Sequence, residues 1–356
     1  MRIAVIFGGQ SDEHEVSRNS ARNVLKALQG SAHELLVVGI TKEGRWYTTE
    51  ADVDEIASGA WEQHPGNRQT TIPSDPFLHG FLIFDENDHA EVHPVDCIFP
   101  VLHGDFGEDG RIQGVFEMAG IPYVGPDVKA SANCMDKSIT NQLATVTGVQ
   151  QARSYVLRKR AYRSDPVSQL AIVRSYFNNR FPLFAKPSSA GSSVGASRVL
   201  TSNDLQGAIE NAFQYDDKVL IEELIVGREL EVAVLGNDEP EASCVGEILS
   251  AGEFYDYDSK YNNPNSMTRV VDDLPQPVLD EIRDYAIRLF KALECRGLSR
   301  VDFFYKEDGT IIFNEINTLP GFTNISMYPQ LWEAMGMSQP ELVERLLQLA
   351  MEPKLS

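Results

Sequence analysis

The chain has 356 residues, 42% of them hydrophobic and 23% charged, which suits a globular protein of two or three domains with ample core. Fifty-two acidic residues against 31 basic ones leave a net charge of −21, which argues against nucleic acid or an anionic membrane surface as partner. Any polyphosphate would need local devices, a divalent cation and a few lysines, to hold it against that field. Cys97, Cys134, Cys244 and Cys295 are scattered, without metal-ligand spacing or a disulfide-dense pattern, and read as reduced thiols of a cytosolic protein. RIAVIF follows Met1 directly with no signal-peptide features, and no apolar run reaches the roughly 18 residues of a membrane helix.

In chain order, RIAVIF is a strand, residues 15–28 a helix, LLVVGI a strand and VDCIFPVL another ending at His103. IQGVFEMAG is helical and IPYVG strand-like, so residues 1–127 carry the βαβ rhythm of a parallel, Rossmann-like sheet. Residues 50–95, rich in Pro and Asp, read as an irregular insertion. Residues 128–222 form a smaller α+β unit. Within it, FPLFAK is a strand ending at Lys186, followed by a Ser/Gly loop and a second strand. Residues 223–356 hold a hairpin turning at Asp308-Gly309 and amphipathic helices over 276–293 and 339–351. The fold class is α/β, α+β in parts.

The hairpin carries the strongest chemical signal. Alternation along RVDFFYKEDGTIIFNEIN sends Glu315 and Asn317 to one face, and pairing across the turn brings Asp302 to them. Two carboxylates and an amide oxygen suit Mg²⁺ bridging phosphates, although acidic residues on an exposed hairpin face are common. Lys186 can place a point charge on phosphates, and the backbone of Gly191, Ser192, Ser193 and Gly195 can wrap their oxygens. Neither the P-loop nor the G-x-G-x-x-G fingerprint occurs. Gly8 and Gly9 end the first strand, where open α/β sheets bind ligands. Glu15 falls in the following helical turn, where complementing the helix dipole is the simpler role. His103 ends another strand inside LHGDFGEDG. EFYDYDSKYNNPNSMT is too polar for core and too long for a tight turn, and reads either as a surface loop or as a lid.

Seven segments in order, VIFGGQSDEHEVS, VLHGDFGEDGRIQG, CMDK, AKPSSAGSSVG, VLIEELIVGRELE, EFYDYDSKY and RVDFFYKEDGTIIFNEINTLPGFTNIS, closely resemble those of the D-alanine–D-alanine ligases of the ATP-grasp superfamily. The resemblance implies an ATP-grasp fold with a substrate domain over 1–127, a central subdomain with the flap over 128–222 and a C-terminal subdomain with lid and metal site over 223–356. It implies ATP-dependent joining of two D-alanines through an acyl phosphate, for peptidoglycan synthesis. The nearest alternative is D-serine as second substrate.

Residue by residue, the resemblance assigns Glu15 to the first substrate's ammonium and His103 to the neighbourhood of its carboxylate. Lys137, Lys186 and Ser193 go to the phosphates, Glu222, Glu223, Leu224 and Ile225 to the adenine, and Glu229 to the ribose. Asp302, Glu315 and Asn317 would hold two Mg²⁺, with Mn²⁺ as substitute. Arg300 and Gly321 would stabilise the oxyanion, and Lys260 with Ser326 the second carboxylate. Tyr255 belongs to the substrate-facing lid. Tyr261 would bond across to Glu15 and Ser192 and, with Ser192, form a proton relay. The Lys260-Tyr261 pair without a histidine favours a peptide over a D-lactate ester. TRVVDDLPQP replaces the Pro-Ala pair usual after the lid, a departure in lid packing. The resemblance further implies a cytoplasmic homodimer.

Overall fold

The protein is described from a computed structural model covering residues 1–249 and 267–353. Three β-sheets, each with helices on its flanks, organise the described residues.

The first sheet contains β1 (Arg2–Gly8), β2 (Glu34–Ile40), β3 (Trp46–Thr48), β4 (Arg68–Thr71), β5 (Gly80–Phe84), β6 (Ala90–Pro94) and β7 (Cys97–Val101), in the order β6-β5-β4-β3-β2-β1-β7. The expected parallel part is β2-β1-β7, where near-continuous apolar runs reflect burial on both faces. The expected irregular insertion over 50–95 is instead ordered structure. Its strands β4–β6 extend the same sheet from β3 in antiparallel fashion, after a capped helix, Val53–Ser58. IPYVG, expected to be strand-like, contributes a single bridge from Tyr123 to Ile98.

The second sheet pairs β8 (Ser154–Arg158), β9 (Leu183–Pro187), β10 (Ser197–Val199) and β11 (Lys218–Glu223) in the order β10-β9-β11-β8. The third pairs β12 (Arg228–Gly236), β13 (Glu241–Leu249), β14 (Met267–Val270), β15 (Gly297–Tyr305) and β16 (Ile311–Asn317) in the order β14-β13-β12-β15-β16. Its β15–β16 hairpin turns at Asp308-Gly309 as read from sequence, with Gly309 at φ 84°. That backbone region is costly for residues with a Cβ.

One core locks the first and third sheets together. Helix His14–Leu28 supplies Val24 and Leu28, and helices Met327–Ala334 and Gln339–Met351 supply Leu331, Trp332 and Leu346. Asn23 Nδ2 also donates to Phe322 O at 2.7 Å, fixing the loop after β16 against the first sheet. A cleft opens where the three sheets meet.

Candidate active site

The floor of the cleft is a row of carboxylates set by strand register. Glu231 on β12 faces Asp302 on β15, which faces Glu315 on β16. Side chains two apart share a strand face, so Arg300 and Asn317 stand on the same side as that row. Arg300 grips Asp302 with both arms, Nε to Oδ1 at 2.8 Å and a terminal nitrogen to Oδ2 at 2.7 Å. Its Nε also lies 3.1 Å from Glu231 Oε2. Asn317 Nδ2 donates to Asp302 Oδ2 at 3.0 Å, which holds the three expected metal-binding side chains in one group.

Beside the floor, between the second and third sheets, is a chamber of about 180 Å³. Lys186, Ser193, Glu222, Glu223, Leu224, Ile225 and Glu229 all line it, as the resemblance implied. Lys186 is buried and pairs with Glu222 Oε2 at 2.7 Å. Lys137, which opens helix Lys137–Ala144, reaches Glu315 Oε2 at 3.3 Å and donates to Ala190 O at 3.0 Å. Over the chamber, the Ser/Gly segment folds into tight turns, with Ser192 at φ 48°, Ser193 at 59° and Gly195 at 71°. Two consecutive left-handed serines are uncommon, and such strain concentrates where a ligand is gripped.

A larger cleft of about 460 Å³ opens toward the first sheet, lined by His103, Arg300, Gly321 and Ser326 among the expected residues. Glu15 is not among them. Helix His14–Leu28 begins one residue before it, and Glu15 points to the outside, 2.6 Å from Lys42 Nζ. Glu13, at the residue preceding the helix, lines the cleft instead and accepts a hydrogen bond from Ser192 Oγ. The carboxylate that meets the flap's Ser192 is therefore Glu13, directly, whereas Glu15 was expected to reach it through Tyr261. Tyr255, Lys260 and Tyr261 lie outside the described residues.

His103 is in the cleft wall, but both its ring nitrogens are engaged. Nδ1 donates to Leu319 O at 2.8 Å, and Nε2 accepts from Ser20 Oγ at 3.0 Å. Ser20 in turn accepts from Phe322 N at 3.1 Å, so the neutral tautomer satisfies the whole chain. Burial lowers the imidazole pKa to about 4. His103 thus holds the Pro320-Gly321 loop rather than offering a charge to a ligand. Glu108, which sequence reasoning missed, works alongside it. Its two oxygens accept from Gly104 N and Leu319 N, both at 2.9 Å. Burial, and then the neighbouring Glu13, raise its pKa to about 7. Only its place in the glycine-rich LHGDFGEDG segment hinted at this role.

The two cavities share Lys137, Gly191, Ser192, Glu231, Ile248 and Glu315. A group held in one can therefore be passed to a molecule in the other without leaving the cleft. Among the described residues, no three His, Cys, Asp or Glu side chains gather as a metal site by themselves. The donor set is two carboxylates and the Asn317 amide oxygen, all hard oxygens, and its chemistry fits magnesium.

A strand-and-flap grip closing over lysines and a carboxylate floor defines an ATP-grasp fold. Relatives of the chain match it over nearly its full length. A family model described as D-ala D-ala ligase N-terminus matches residues 2–126, and one described as D-ala D-ala ligase C-terminus matches 143–348. The D-alanine–D-alanine ligase of Acetivibrio thermocellus is 47% identical, covering 99% of this chain and 96% of its own. The D-alanine–D-alanine ligase A of Chromobacterium violaceum is 44% identical, with 99% and 95% covered. Among solved structures, the VanG D-Ala:D-Ser ligase from Enterococcus faecalis superposes with a TM-score of 0.87 at 37% identity, covering 98% of this chain and 99% of its own. The D-alanine–D-alanine ligase from Coxiella burnetii gives 0.84 at 35% identity, with 98% and 93% covered. The chain belongs to the D-alanine–D-alanine ligase family.

Proposed function

We propose that the protein joins two D-alanines to D-alanyl-D-alanine at the expense of ATP, releasing ADP and phosphate, to supply peptidoglycan precursor. The observation that carries this reading is the pair of cavities with a common wall, one lysine-rich and flap-covered, the other lined by Glu13, Arg300 and Gly321. A carboxylate is a poor electrophile. An oxygen of the first D-alanine attacks the γ-phosphorus, ADP leaves, and an acyl phosphate forms. The amine of the second D-alanine then attacks the carbonyl carbon, the C–N bond forms, and phosphate departs.

In this reading Glu13 holds the first ammonium, the role that the resemblance had placed on Glu15. Lys137 and Lys186 hold the phosphates, with Ser193 from the flap. Glu222, Glu223, Leu224 and Ile225 border the adenine, and Glu229 the ribose. Arg300 and the Gly321 N–H stabilise the oxyanion formed when the amine attacks. Lys260 and Ser326 fix the second carboxylate, with Tyr255 in the lid. The proton leaves the second ammonium through Tyr261 and Ser192. Asp302, Glu315 and Asn317 would hold magnesium (two ions by resemblance, manganese as substitute), which when bound offsets the charge of the phosphate chain. Family likeness supports a homodimer in the cytoplasm, and among the described residues no helix is long and apolar enough to cross a membrane.

The superposition on a D-Ala:D-Ser ligase gives weight to a second reading, with D-serine as the second substrate. Phosphate release with ATP, Mg²⁺ and D-alanine, with D-alanine, D-serine or D-lactate as acceptor, separates the two. Release with D-alanine alone and a dipeptide of the right mass is expected. Release only when D-serine is added favours the second reading, and silence with every acceptor overturns both.

A further inference from the structure

We propose that Glu231 is a positioning residue that keeps the Arg300 guanidinium aimed at the reacting carbonyl while Asp302 is engaged elsewhere. The inference rests on the ligase reading above. Arg300 has two carboxylate partners of different kinds. Asp302 binds it bidentately and is also a metal-binding candidate, so its lone pairs have two claimants. A carboxylate that donates density to a cation holds a guanidinium less firmly. Glu231 Oε2 stands 3.1 Å from Arg300 Nε on the adjoining strand, beside the shorter bond from Nε to Asp302, and is placed to take that N–H when Asp302 turns to a cation.

Burial supports this division of labour. The Glu231 side chain is 6% exposed, against 12% for Asp302 and 22% for Glu315. A carboxylate that deep is costly unless a cation accompanies it, and Arg300 is in contact. On the same face of β12, Ala233 and Leu235 join the apolar core, so Glu231 marks the point where that face turns from core to cleft. Glu231 also lines both cavities, at the wall across which the acyl phosphate would meet its amine.

The test is Glu231→Gln, which keeps the shape and removes the charge. Calorimetry would measure the binding of ATP and of a phosphinate dipeptide analogue, an anionic mimic of the tetrahedral centre, and steady-state kinetics would separate kcat from KM. The expected result is analogue binding weaker by about 10- to 100-fold, a comparable fall in kcat, and an ATP affinity within about twofold of wild type. The double variant with Arg300→Lys should be no worse than Arg300→Lys alone. Equal losses of ATP and analogue binding, or strictly additive losses in the double variant, would overturn the proposal. If Glu231→Gln does not fold, Glu231→Asp carries the same expectation at smaller size, and equal losses there overturn it too. A wild type that neither releases phosphate with D-alanine nor binds the analogue sinks the ligase reading. A wild type that does both, beside an unaltered Glu231→Gln, sinks this inference alone.

Discussion

Glu13 and Glu15 are two residues apart and lead different lives. Glu13 stands at the cap position outside the first turn of the helix, while Glu15 lies on the turn itself, so the two carboxylates leave the backbone in different directions. Glu15 does fall in the first helical turn, as read, but the substrate-facing role placed on it belongs to the residue just before the helix. The structure starts that helix at His14, leaving Glu13 outside it and against the flap, with Glu15 paired to Lys42. Glu13→Gln should cost about 10- to 100-fold in kcat/KM for D-alanine, the worth of a hydrogen bond to a charged group, while Glu15→Gln stays within about twofold. Phosphate-release kinetics on both variants checks this, and the reverse ranking would restore Glu15. Glu108 gives a second prediction. Its carboxyl titrates near 4.5 when unfolded and at about 7 when folded, so the folded state binds the extra proton between those values. The stability it lends is present below about pH 4.5 and lost as pH rises through about 7, on the order of 3 kcal/mol. His103, lowered from 6.5 to about 4, runs the other way and loses stability as pH falls through that window. Glu108→Gln removes the first effect only. In urea denaturation the wild type should therefore lose ground against this variant between pH 5 and pH 8. A constant difference would contradict the assignment.

At the scale of elements, what was legible is what depends on neighbours along the chain. The β15–β16 hairpin follows from alternation and from the Asp308-Gly309 turn, and it brings Asp302, Glu315 and Asn317 together as read. What was not legible depends on distant partners. Residues 50–95 look irregular because their strands are short and their turns polar, yet β4–β6 are held by pairing to β3 and to each other. Trp61, in the short 3₁₀ turn Ala60–Gln63, is fully buried and meets Phe7 edge-on at 4.9 Å. Trp61→Ala should cost about 3–5 kcal/mol of stability by chemical denaturation. A loss below about 1 kcal/mol would mean this segment is the loose insertion that its composition suggested. Glu231 was hidden for the same reason. In RELEVAVLG it looks like an ordinary outward charge, and only the register with β15 shows it facing Asp302.

The whole molecule puts its chemistry where three sheets converge. Glu13 and His103 follow strands of the first sheet, Lys186 and Ser192 belong to the second, and Arg300, Asp302 and Glu315 to the third. The order of motifs along the chain announced these parts, and periodicity announced the helices over 15–28 and 339–351, but not helix Met327–Ala334 or the packing of all three between the first and third sheets, which depends on distant partners. With a net charge of −21, the protein would have to hold phosphates by local cations rather than by its overall field. In the proposed reaction the cleft activates a D-alanine carboxylate by phosphorylating it, which an oxygen tracer would reveal. D-Alanine labelled with ¹⁸O in both carboxyl oxygens is turned over with unlabelled ATP, and the released phosphate is analysed by mass spectrometry. Transfer through an acyl phosphate predicts one ¹⁸O in each phosphate released. Phosphate without the label, formed alongside dipeptide, would rule the acyl phosphate out.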